Sequence, residues 1–164
     1  MSKCLHLLLL STLVAVSAAC ADGTPTDEDG GPVVYEGPSV DDDERCDEDR
    51  TLCVDVLIPP SYEGTPRMMA VALYTFVPPI GPPDETLAEL EDLELEAGHR
   101  YPVVIQPMLE TGDWDVWINL YMEGGGEFIP ANGIDMVGSS DGKVNLVAEG
   151  QILDPIELDF AGGF

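Results

Sequence analysis

Beyond residue 51 the chain alternates apolar and polar positions in short runs separated by Pro and Gly clusters. A two-residue period of this kind belongs to pleated strands with one buried face. The pattern predicts strands over 52–58, 67–77, 93–96, 101–108, 113–122, 143–148 and 156–160. About seven short strands in one segment predict an all-β fold, a single antiparallel β-sandwich spanning 51–164. Within 113–122 the pleat puts Trp114, Val116, Ile118 and Leu120 on the core side and Asp115, Trp117, Asn119 and Tyr121 on the outer side. Val144 and Leu146, then Ile156, Leu158 and Phe160, continue the inward set. The stretch 86–96 carries both periods, since Leu87, Leu90 and Leu93 suit one helical face while Leu93 and Leu95 suit a strand. A short helical turn running into a strand is the expectation there. The run Pro78-Pro79-Ile80-Gly81-Pro82-Pro83 is too proline-dense for a central strand and suits a crossing between sheets.

The N-terminal third has a different texture. Residues 1–19 hold one base, Lys3, then an apolar run from Leu5 to Val16, then the small residues Ser17, Ala18 and Ala19, followed by Cys20. Basic start, apolar middle and small-residue end make up a three-part export signal. The apolar run is shorter than the roughly 20 residues a membrane span needs. Residues 20–50 are rich in Asp, Glu, Gly and Pro and poor in bulky apolar side chains, so burial cannot offset their ordering entropy. They read as an acidic, flexible linker stretched by its own charge.

Val16-Ser17-Ala18-Ala19-Cys20 resembles the lipobox of bacterial lipoproteins, in which small or aliphatic residues precede a cysteine that becomes the lipidated first residue. Ser17 departs from the Leu most common at that place. The resemblance implies export, cleavage before Cys20, and a membrane anchor of two or three acyl chains on that residue. Each buried methylene adds about 0.8 kcal/mol, so one chain is marginal and several hold firmly. In that family an Asp directly after the cysteine favours retention in the inner membrane. Ala21 here implies the outer membrane of a Gram-negative bacterium.

Composition narrows the function. The chain holds 32 acidic residues against 6 Lys and Arg, a formal net charge of −26, and removal of a segment containing Lys3 makes the remainder more acidic still. Nucleic acid and anionic headgroups bind through Lys and Arg, so nucleic-acid partners are excluded. With Cys4 in the signal and Cys20 taken by lipid, Cys46 and Cys53 remain. Export to an oxidising compartment makes one disulfide between them the expectation. Their spacing is not that of a CxxC redox or zinc motif.

Few residues invite chemistry. Gly138-Ser139-Ser140-Asp141-Gly142 matches the G-x-S-x-G nucleophile elbow in letters, but the elbow leads into a helix and 143–148 reads as a strand. His99, the one histidine beyond the signal, lies in a polar turn and cannot by itself build a metal site. A catalytic residue is therefore not expected, and a hydrolase ranks below a binding or structural role. The stretch from Tyr121 to Gly138 resembles a strand-to-loop element of bacterial Ig-like or transthyretin-like sandwich domains, whose acidic loop sometimes holds calcium. That resemblance implies Glu123, Glu127 and Asp135 as calcium candidates and no other cofactor. Trp117 and Tyr121, outward and about 13 Å apart at the usual strand rise, are the candidate surface for a glycan or an envelope protein.

Overall fold

The computed structural model describes residues 33–75, 82–126 and 129–162. The export signal, Cys20 and the calcium candidate Glu127 lie outside the described residues, as does most of the proline-rich crossing. Among the described residues there are ten strands: β1 (Leu52–Leu57), β2 (Pro66–Tyr74), β3 (Glu85–Leu90), β4 (Arg100–Ile105), β5 (Gly112–Met122), β6 (Met136–Ser139), β7 (Val144–Leu146), β8 (Gln151–Ile152), β9 (Ile156–Glu157) and β10 (Asp159–Phe160). They form the two sheets of an all-β sandwich.

The first sheet is built on β1. It pairs antiparallel with β4, Leu52 opposite Ile105 and Leu57 opposite Arg100, and on its other edge runs parallel to β8 and then β9. The second sheet is ordered β10-β6-β5-β2-β3, with β7 also on β5. β5 is its hub. One edge pairs with β2; the other takes β6 opposite Trp117–Leu120 and β7 opposite Gly112–Trp114. Leu52, Val54 and Val56 of β1 meet Met69, Val71 and Leu73 of β2 and Val116, Ile118 and Leu120 of β5 in the main core. Full burial of such a side chain contributes about 1.5–3 kcal/mol, so this layer holds the sheets together. The inward set expected for β5 is thus the observed one, with Trp114 partly buried at its end.

Three expectations are corrected. The stretch 86–96 holds no helix: β3 occupies Glu85–Leu90, and 93–96 is not a strand. Opposite β3, Val71 pairs with Ala88 and Ala72 with Thr86, leaving Leu87 as a bulge residue. The extra residue breaks the two-residue alternation, so Leu87, Ala88 and Leu90 all pack on the core and mimic a helical spacing. The strand count is also higher than seven. β6 and β8 carry too little apolar pattern to be seen in sequence, and 156–160 divides, β9 joining the first sheet and β10 the second.

The third correction concerns the linker. Residues 34–50 are folded, with two short 3-10 turns at Val40–Asp42 and Glu44–Asp47. Val40 and Cys46 pack with Cys53 and Val104 in a second apolar cluster on the far side of the first sheet. The Cys46–Cys53 disulfide, with Cα atoms 5.8 Å apart, fastens this segment to β1. Asp55, 3 % exposed, accepts hydrogen bonds from the Ser39 hydroxyl (2.6 Å) and the Val40 amide (3.0 Å). Arg100 adds an ion pair to Asp55 at 3.6 Å and donates to the Tyr35 carbonyl at 3.1 Å. A handful of well-placed contacts, rather than a long apolar run, orders this acidic strap, which is why composition concealed it.

Candidate functional site

The outer face of β5 is closed. Trp117 is 7 % exposed and Tyr121 4 %, so the accessible aromatic pair expected from the alternation is absent and the glycan surface built on it loses its basis. Tyr74 meets Trp117 edge-on, ring centroids 6.0 Å apart, with Ala72 and Val137 beside them. The Arg67 guanidinium sits 5.8 Å from the centre of the Tyr121 ring, and its Nη2 also donates to the Gly126 carbonyl. The polar members of this face are partnered rather than solvated. Asp115 lies 3.3 Å from Lys143 Nζ, which donates to the Thr75 carbonyl at 2.6 Å, and Asn119 hydrogen-bonds Tyr74. Burial, the neighbouring Tyr74 and the charge of Asp135 push the Tyr121 hydroxyl up to about 12, and burial raises Tyr74 as well. This face is a second, polar-aromatic packing layer.

Asp135 is fully buried, and its carboxylate organises a loop. Oδ1 accepts the Met122 amide at 2.7 Å; Oδ2 accepts the amides of Ala131 at 2.6 Å and Gly126 at 3.2 Å. Both oxygens are spent on backbone donors, the arrangement that satisfies a buried carboxylate without a cation. The chain passes so close that a Cβ on Gly125 would stand 1.9 Å from Oδ1. Glu123 is exposed and does not share in these bonds. Among the described residues no group of three or more His, Cys, Asp or Glu converges as metal ligands do.

Ser140 is likewise engaged. Its Oγ accepts the Val116 amide at 3.1 Å and donates to the Gly142 carbonyl at 2.8 Å. The motif runs from the end of β6 into the turn before β7, two strands that pair successively with the same edge of β5, so no helix follows it. Gly138 is required by packing: a Cβ there would meet the Glu157 carbonyl at 2.4 Å.

A concavity lies on the other sheet, where three segments meet. Pro38 of the strap, Leu95 after β3, and Tyr101 and Pro102 of β4 line a cleft of about 460 Å³ floored by Ile58. Glu94, Glu96, His99 and Arg100 stand around it. His99 Nε2 is 3.4 Å from Glu96 Oε2 and 4.0 Å from Glu36 Oε2. The backbone fixes this edge, because the Glu36 amide donates to the Gly98 carbonyl and the Arg100 amide to the Glu36 carbonyl. A second recess of about 480 Å³ begins at the same Pro38 and Pro102 and is bordered by Asp42, Asp43 and Glu44. Arg45 is turned onto Asp43 there, holding that carboxyl down at about 2. Nothing in the sequence joins Pro38, Leu95 and Pro102, which only the strap and β4 bring together.

Comparison with protein families, with curated proteins and with solved structures found no match to this chain.

Proposed function

We propose that the protein is a lipid-anchored lipoprotein of the bacterial envelope whose sandwich serves as a non-enzymatic module binding another envelope protein. The observation that carries this reading is the lipobox Val16–Cys20 behind an apolar run. On this reading the mature chain starts at a lipidated Cys20, faces the outer membrane, and spaces its sandwich from the bilayer with the acidic residues that follow. Ig-like and transthyretin-like domains are its architectural analogues, two packed sheets that present loops and edges to a partner.

A binding role accords with how the reactive side chains are used. The Ser140 hydroxyl is consumed by its own turn, His99 faces carboxylates, and Asp135 is tied to backbone amides. An oxidising address accords with the disulfide Cys46–Cys53.

Crosslinking in intact envelopes, followed by purification of the full chain, tests the reading. The same envelope protein should be recovered in independent preparations. Repeated recovery of the chain alone would remove the partner from the account.

A further inference from the structure

We propose that the paired clefts on either side of Pro38 and Pro102 bind a basic, extended segment of a partner protein, one cationic side chain in each. This rests on the partner-binding reading and names the chemistry of the contact.

The first cleft has room and lining for a Lys or Arg side chain. Leu95 and Pro102 offer apolar surface for an aliphatic stem, and the Tyr101 ring can face a cation. Its volume is within the roughly 300–1,000 Å³ of ordinary binding pockets.

Charge decides the sign of the occupant. Arg100 directs Nη1 to the buried Asp55 and Nη2 to the Tyr35 carbonyl, so its charge is offset inside the fold. Glu94 and Glu96 are left at the mouth, with Glu36 across from them beyond His99. In the second recess Arg45 is occupied by Asp43, which leaves Asp42 and Glu44 facing outward. Each concavity therefore presents more carboxylate than cation. The two recesses are neighbours, with Pro38 and Pro102 lining both, so successive side chains of one extended segment can reach the two. Complementary charge of this kind raises association rate and selects the partner.

The test uses the full chain in detergent micelles at about 0.15 M salt, where diffuse attraction is screened beyond roughly 8 Å. Tetralysine amide is titrated calorimetrically into the wild type, into E94Q/E96Q, and into E85Q/E89Q on β3 of the other sheet, which removes the same charge elsewhere. The groove variant should bind tetralysine about tenfold more weakly, and the β3 variant within about twofold of wild type. Equal losses in the two variants, or no measurable binding to wild type, overturn the proposal. Spermidine binding as tightly as tetralysine, with the same dependence on Glu94 and Glu96, overturns it in favour of a free polyamine. The envelope crosslinking separates this from the reading beneath it: a partner captured equally by E94Q/E96Q refutes the groove and leaves the partner standing. A partner lost only from E94Q/E96Q supports both.

Discussion

Asp135 shows how a single buried carboxylate can hold a loop together through backbone amides. Its three amide donors come from Met122 at the end of β5, Gly126 in the turn and Ala131 beyond it. Asp135→Ala would leave those amides without an acceptor, and hydrogen bonds to a charged group each contribute about 1.5–3 kcal/mol. A loss on the order of 3 kcal/mol in urea unfolding is expected, with calcium having no restoring effect. A variant as stable as wild type would show that the loop is held otherwise. In sequence Asp135 is one acid among 32, and only the resemblance of its loop implies a cation ligand. The three-amide cradle is legible only once the turn brings residues 122, 126 and 131 to one point. Trp117 and Tyr121 are buried for a related reason. Alternation with Asp115 and Asn119 implies an outer face, but those polar groups are themselves paired to Lys143 and Tyr74.

At the scale of elements, the strap of residues 34–50 closes the far side of the first sheet. Cys46 and Cys53 are 3 % and 0 % exposed, so the disulfide is sealed inside the cluster it helps to form. Replacing both by Ser should cost about 2–3 kcal/mol by the loop-closure argument, read as a lowered denaturation midpoint. An unchanged midpoint would mean that Asp55 and Arg100 hold the strap unaided. Gly138 within β6 supplies a second test. Gly138→Ala places a methyl against the Glu157 carbonyl and Ile156 where β6 passes under β9, and overpacking of this kind costs about 1–3 kcal/mol. A neutral Gly138→Ala would contradict the close approach. β1, β2, β4 and β5 were legible because each carries several apolar residues at even spacing. β3, β6, β8 and the strap were not, because a bulge, two-to-four-residue lengths and point contacts leave no periodic trace.

For the whole molecule, tyrosines tie stability to alkaline pH. Burial raises Tyr121 to about 12, and burial also raises Tyr35, Tyr62 and Tyr74 above their ordinary value near 10. The folded state therefore keeps protons that the unfolded chain gives up. The stabilisation is complete below about pH 10 and is lost as pH climbs toward 12, with the sign fixed by the unfolded chain binding fewer protons. Denaturation midpoints followed from pH 8 upward should hold level and then fall steeply above 10, and Tyr121→Phe should soften the fall. A level profile to pH 12 would contradict the buried hydroxyls.

The all-β sandwich and its disulfide answer to the pattern of the chain, and the account of what it does turns on Cys20. Cells fed radioactive palmitate and expressing the wild type or Cys20→Ser provide the most direct measurement. A labelled band is expected for the wild type and none for Cys20→Ser. Undiminished label on Cys20→Ser would contradict the lipid anchor.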